Sequence, residues 1–195
     1  MKIIDISREI FTSPCYADDP QPHYRWHKSL YAGDEFNLSV LSMTPHAGTH
    51  IDAPVHFIKH GKSVEECSLE KCFGPCTVIT ISGVLTGEDM DRLLPHCAKR
   101  LLIHGSGDAV LELSAARVIT ENKLLLVGTD GLSIAFNKQE EAVHRELLSN
   151  GTVILENLCL DNVQDGRYIL SALPLKMSGV EASPVRAVLV PISNQ

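Results

Sequence analysis

The stretch TPHAGTHIDAPVHF, residues 44–57, sets His46, His50, Asp52 and His56 at offsets of four, two and four. These four side chains must either converge or stay in water, and the surrounding Pro45, Gly48 and Pro54 limit the backbones that allow convergence. A helix fails. At about 100° per residue His46 and His50 share a face, but Asp52 points roughly 200° away from His50. The prolines and the glycine disfavour a helix in any case. In extended chain all the offsets are even, so all four side chains leave the same side. Ten residues of straight strand span about 33 Å, whereas ligand bonds to one ion are only about 2.0–2.2 Å. The chain is therefore expected to curl, at Gly48 and Pro54.

Two imidazoles and a carboxylate form a borderline nitrogen/oxygen donor set, suited to zinc, manganese or iron(II) and poorly suited to calcium or magnesium. Three protein ligands with one open position make a catalytic site rather than a structural one. A carboxylate can also bridge two ions.

The rest of the chain narrows the setting. At 195 residues, 44% hydrophobic and 21% charged, it suits one domain, residues 1–195, with a core that needs no staples. The formal net charge of −7 gives no basic footprint for nucleic acid or an anionic membrane. MKIIDISREI lacks the layout of a signal peptide, and no apolar run approaches the roughly 20 residues of a membrane span. Six cysteines without export signals read as reduced thiols in a cytoplasmic protein.

Periodicity predicts short strands at KIIDIS, FNLSVLSM, CTVITI, KRLLIHG, KLLLVGTDG, TVILENLCL and RAVLVPI, with FNLSVLSM running straight into the histidine cluster. Residues 13–35, punctuated by prolines, read as irregular. SVEECSL is expected to make a helical turn capped by Ser63 with Glu66, and GEDMDRLLPHC a short helix. NKQEEAVHRELLSNG is an amphipathic helix stopped at Asn150-Gly151. Strands outnumber helices at spacings that do not suit a doubly wound sheet. The fold class is mixed α/β with one largely buried sheet.

Two further residues stand out. TVILENLCL is apolar on both faces apart from Glu156-Asn157, and an uncompensated buried carboxylate costs several kcal/mol, so Glu156 needs a cation or a proton. His144 lies on the edge of its helix's apolar face, where an edge-of-core histidine is the plainer reading. HGSGD, residues 104–108, is only superficially like a phosphate loop, lacks the Gly-Lys-Ser/Thr ending and reads as a turn. No Gly-x-Ser-x-Gly elbow is present to suggest covalent catalysis.

With these residues in hand, the sequence resembles the metal-dependent cyclase/hydrolase family that includes bacterial kynurenine formamidases and isatin hydrolases. HAGTHIDAPVHF matches that family's His-x-Gly-Thr-His-x-Asp-x-Pro-x-His pattern, and GTDGLSI, HRELLSNGTVILENL and LPLKMSGVEASPVRAVLVP extend the likeness over nearly the whole chain. The resemblance implies a swivelling β/β/α fold assembled as a homodimer or homotetramer. It implies that His46 and His50 bind one divalent ion, His144 a second, and that Asp52 and Glu156 bridge them. His56 would be the acid/base residue. Zinc is the first expectation for the metal and manganese the second, at one or two ions per subunit. The family's first loop commonly carries a Trp-Pro-Gly-Asp-like segment; here the matching CYADDP puts Tyr16 in the aromatic place, over the metals and against an aryl substrate. The expected reaction is hydrolysis of an amide-type C–N bond in a small molecule, N-formylkynurenine being the favoured example. Its rivals are opening of an isatin-like lactam or a lactone, and metal binding without catalysis.

Overall fold

Apolar runs such as LLI at 101–103 and LLLV at 124–127 leave neither face polar, so they must lie in the middle of a sheet covered on both sides. The computed structural model describes residues 2–192 and places them there. Its strands are β1 (Ile4–Asp5), β2 (His23–Lys28), β3 (Leu38–Ser42), β4 (His50–Asp52), β5 (Phe73–Thr80), β6 (Val84–Leu85) and β7 (Arg100–His104). They continue as β8 (Val110–Leu111), β9 (Leu126–Thr129), β10 (Val153–Glu156), β11 (Gly166–Ser171), β12 (Ala182–Pro184) and β13 (Val188–Pro191). The α-helices are α1 (Leu69–Cys72), α2 (Gly87–Leu93), α3 (Leu113–Glu121) and α4 (Glu140–Ser149).

Among the described residues nine strands form one sheet, in the order β1-β13-β11-β5-β7-β9-β10-β4-β12. Its middle is parallel, β5 to β7 to β9 to β10, and both wings are antiparallel. The parallel strands advance in one direction across the sheet, so right-handed crossovers put their helices on one face. Met90, Ala116, Ile119, Val143 and Leu147 of these helices pack there with Leu101, Ile103, Val127 and Ile154. The alternate residues Leu102, Leu126, Val153 and Leu155 face the other way, into a second core shared with Ile6, Ile51, Leu170 and Leu189. That second core takes residues from both wings, which is what a curled sheet requires. The mixed α/β class with a largely buried, not doubly wound, sheet is what the sequence predicts.

The differences are local. Residues 13–35 are not wholly irregular, because β2 lies within them and pairs with β3 as a separate two-stranded ribbon. FNLSVLSM therefore does not lead straight into the histidine cluster: β3 stops at Ser42 and a turn intervenes. The ribbon has no buried face to imprint an apolar/polar alternation, which is why its pattern is faint. Helix α3 and strands β11 and β12 also escaped the periodicity reading. The turn at 64–66 and the helices at 87–93 and 140–149 are present, with the Ser63 amide donating to Glu66 Oε2 at 3.0 Å.

Gly128 in β9 shows how closely the layers pack. A Cβ there would meet Leu102 Cδ2 at 2.7 Å and the Leu155 carbonyl at 3.1 Å. Gly128→Ala is expected to cost about 1–3 kcal/mol, lowering Tm by roughly 2–4 °C for each of them. Urea unfolding measures this, and an unchanged midpoint would mean the sheet has room that its spacing denies.

Candidate metal centre

Strand β4 turns His50 and Asp52 to one face and buries Ile51 on the other. Its antiparallel neighbour β10 sets Glu156 opposite His50 and Ile154 opposite Asp52. Directly opposed residues share a face, so two carboxylates and an imidazole meet on the helix-covered side. His144 comes from α4, which packs there, and is itself only 2% exposed. His46 lies in the turn before β4, and His56 ends the short 3₁₀ turn Pro54–His56. The chain bends where expected: Gly48 has φ +67°, and Pro54 opens that 3₁₀ turn. A side chain at Gly48 would also crowd the Arg8 carbonyl at 3.3 Å.

The distances suit a shared cation. Asp52 Oδ1 is 3.2 Å from His46 Nδ1 and 3.6 Å from His50 Nε2. Asp52 Oδ2 is 3.7 Å from His144 Nε2. Glu156 Oε2 is 3.5 Å from His50 Nε2, and its Oε1 is 3.3 Å from His144 Nε2. Ligands held at about 2.1 Å around a tetrahedral ion stand roughly 3.4 Å apart. Two groups bring one ligand atom from each residue within 4.8 Å of the others, His46/His50/Asp52 and Asp52/His144/Glu156, and Asp52 belongs to both.

Hydrogen bonding points the same way. His50 Nδ1 is 2.9 Å from the Gly48 carbonyl and His144 Nδ1 2.8 Å from the Glu140 carbonyl. Each contact orients its ring with Nε2 towards the carboxylates, as outer-shell partners of metal-binding histidines do. Both oxygens of Asp52 are buried without a hydrogen-bond partner. A buried carboxylate in that condition calls for a cation. The residues fit a divalent metal, and residue types reading as nitrogen and oxygen donors make up the whole set.

Without a metal, protons take its place. Burial disfavours a charged His50, but its hydrogen bond to Glu156 and the charge of Asp52 outweigh this and raise its pKa to about 9. His144 is raised to about 9 against the same burial penalty, by Glu156 first and Asp52 after it. Burial would raise the Glu156 carboxyl; hydrogen bonds from His144 and His50 overrule it and hold the group well below the usual carboxylate range. His56 differs. Burial, helped by nearby His46 and His144, lowers its pKa from 6.5 against the pull of Asp52 and Glu156.

A cavity of ≈ 240 Å³ opens onto these groups. All six sequence-predicted residues except Asp52 line it directly, and so does Tyr16. The Tyr16 hydroxyl donates to Glu140 Oε2 at 2.7 Å, which pushes its pKa up to about 12. Sequence reasoning missed Phe57, whose ring lies 4.4 Å from His56 and 4.6 Å from His144. It also missed Leu132, Ser133 and Asn157 in the wall, and Glu181, whose Oε1 is 3.6 Å from His46 Nε2. Phe57 adjoins His56 in sequence and Asn157 adjoins Glu156, so both could have been suspected; Leu132, Ser133 and Glu181 come to the site only through the fold.

The chain is similar to several known proteins. The Cyclase family model matches residues 4–135. The chain is 37% identical over 169 residues to the kynurenine formamidase of Bacillus thuringiensis subsp. konkukian (strain 97-27), covering 80% of this chain and 81% of that protein. The solved structure of a potential metal-dependent hydrolase with cyclase activity superposes with a TM-score of 0.83 at 28% identity, over 96% of each chain. Isatin hydrolase A from Labrenzia aggregata shares the fold, with a TM-score of 0.81 at 22% identity over 97% of this chain and 93% of that one. No helix among the described residues is long and apolar enough to cross a membrane.

The two raised histidines set a pH test. Their charged forms stabilise the metal-free protein fully below about pH 6.5, and this is lost as pH rises through about 9. Metal binding needs both rings neutral, so a bound ion gains where the protons are lost. The Tm gap between metal-loaded and chelator-treated protein should therefore widen from pH 6 to pH 9. Thermal melts at both pH values decide it; a constant gap would mean that protons and metal do not compete for these rings.

Proposed function

This chain belongs to the Cyclase family and is a hydrolase, and from that premise we propose that it is an arylformamidase, cleaving N-formylkynurenine to kynurenine and formate. The observation carrying the reading is the partnerless, buried carboxylate of Asp52 at the junction of two ligand groups, beside the His56 imidazole and an aromatic wall. In this reading His46 and His50 would hold one ion and His144 a second, with Asp52 and Glu156 shared between them. We take the metal to be zinc, with manganese second, at one or two ions per subunit; the nitrogen/oxygen donor set supports this.

When bound, a divalent ion supplies hydroxide at neutral pH and a Lewis acid for the substrate carbonyl. The protein's residues do the rest. His56, kept neutral at pH 7 by burial, accepts a proton as the formyl carbon is attacked. It then returns that proton to the departing aniline-type nitrogen, so formate and a neutral amine leave. Phe57 and Tyr16 offer ring faces to the aryl group, contacts worth about 0.5–1.5 kcal/mol beyond buried area. Opening of an isatin-like lactam or a lactone uses the same groups and is the second reading, favoured by the same planar aromatic wall. The alternative of metal binding without catalysis gives His56 no task.

We also propose that the protein is a homodimer or homotetramer in a reducing cytoplasm, a setting that suits its six free thiols. The ribbon supports the assembly: Tyr24, Trp26, Tyr31, Phe36, Leu38, Val40 and Leu41 are all exposed on it or its connecting loop. A two-stranded ribbon is marginal alone, and strongly apolar contacts characterise obligate homo-oligomers.

Two outcomes test the assignment. His56→Ala should retain metal by elemental analysis and lose about 10²- to 10⁴-fold in kcat, whereas Asp52→Ala should lose metal. Equal metal loss in both would end the division of roles, and turnover of isatin or a lactone in preference to N-formylkynurenine would select the second reading. For assembly, Trp26→Glu should shift the mass measured by light scattering towards the monomer; an unchanged mass would remove the ribbon from the contact.

A further inference from the structure

The HGSGD segment does hold an anion, and it is the protein's own. Asp130, 4% exposed, points its carboxylate into three successive backbone amides. Gly105 N–H donates to Oδ1 at 3.1 Å, Ser106 N–H to Oδ2 at 2.9 Å and Gly107 N–H to Oδ1 at 3.1 Å. Positive φ angles at Ser106 (+54°) and Gly107 (+83°) shape this concavity, as in the amide nests that bind phosphate. His104 Nε2 lies 3.6 Å from Asp130 Oδ2, at the edge of the nest. The loop that starts at Asp130 runs directly to the metal centre. Its Gly131 carbonyl accepts from the Asn157 amide at 2.9 Å, and its Ile134 amide donates to Glu156 Oε1 at 2.7 Å. Leu132 and Ser133, between them, line the cavity.

We propose that Asp130 is a positioning residue: the nest fixes it, it fixes the 130–135 loop, and the Ile134 amide then aims Glu156 at the metals. This rests on the metal-centre reading above. The loop's other backbone anchors lie further along it, at the Gly131 carbonyl and at the Ile134 carbonyl, which accepts from the Leu111 amide at 2.9 Å; the nest fixes its start, and a ligand that can swing away binds metal less tightly. Partners one shell out from a metal typically contribute 10- to 100-fold in affinity.

The test compares zinc affinity, by chelator competition, in wild type, Asp130→Asn, Gly107→Ala and Leu189→Ala. Asp130→Asn keeps the side-chain volume but replaces one acceptor oxygen with a donor that faces N–H groups. Gly107→Ala keeps Asp130 and strains the nest, since φ is +83° there with open space around the added methyl, and it serves if Asp130→Asn does not fold. Leu189→Ala weakens the distant wing of the sheet and controls for lost stability alone. Asp130→Asn should bind zinc about 10- to 100-fold more weakly, with a fall in kcat exceeding the change in KM; Gly107→Ala should follow in the same direction by less. Zinc affinity within twofold of wild type in both nest variants would overturn the proposal and leave the metal centre standing. Equal loss in Leu189→Ala would overturn it too, by tracing the effect to stability. Wild-type protein that takes up no zinc would overturn the underlying reading, and the proposal with it.

Discussion

Asp52 and Glu156, 1% and 4% exposed, lie on neighbouring antiparallel strands facing the same way. Two carboxylates buried this closely cannot both stay ionised without positive charge between or around them; breaking a buried ion pair typically costs about 3–5 kcal/mol. The arrangement of the surrounding chain follows from meeting that demand. Strand β4 brings His50 on the same face as Asp52, α4 brings His144 across the helix layer, and the bend at Gly48 returns His46 over the top. The register between β4 and β10 is therefore electrostatic as well as apolar. A slip by one residue would put Glu156 among Ile51, Leu155 and Leu102 in the other core, where no imidazole waits.

The location of the centre follows from the parallel middle of the sheet. Strands β7, β9 and β10 are neighbours and point the same way, so their carboxyl ends lie side by side. The segments leaving those ends are the amide nest at 105–107, the loop at 130–135 and Glu156–Asn157. Open α/β sheets put their ligand sites at this edge because the loops there are free to diverge while the strands stay fixed. Asn157 shows the local cost, as a non-glycine residue at φ +58° that ends β10 directly after Glu156. Such backbone positions persist only where the surroundings determine them. Here the amide of Asn157 is taken by Gly131 and its carbonyl accepts from the Thr49 hydroxyl at 2.6 Å.

Legibility from sequence divided along one physical line. The histidine cluster could be read because its members are close along the chain, and even spacing with a glycine and a proline is a statement about one backbone bend. Glu156 could be read because a charge in an otherwise apolar strand has few explanations. The parallel strands showed as apolar runs because burial on both faces leaves no polar residue in them. The ribbon of β2 and β3 left no such trace, since neither of its faces is buried within one chain. Helix α3 has only nine residues, and its three buried side chains include two alanines, Ala115 and Ala116, a weak apolar signal. Leu132, Ser133 and Glu181 reach the site through pairing and packing between distant segments, and no spacing along the chain encodes that. HGSGD was correctly read as a turn, but the carboxylate it enfolds lies 22 residues beyond it in sequence.

The pairing of β4 with β10 joins segments about a hundred residues apart. Closing a loop of that length is entropically expensive and comes after the local helices and the crossovers between parallel strands. The group Asp52/His144/Glu156 thus does not exist as a set until that pair closes, whereas His46, His50 and Asp52 come from one short segment. A metal at the Asp52/His144/Glu156 group cannot act as a nucleus for folding, because His144 and Glu156 are not beside Asp52 while that strand pair is open. Its stabilisation falls on the other side of the barrier. The bound protein leaves its native state more slowly, while the rate at which new chains reach that state is set by the sheet alone.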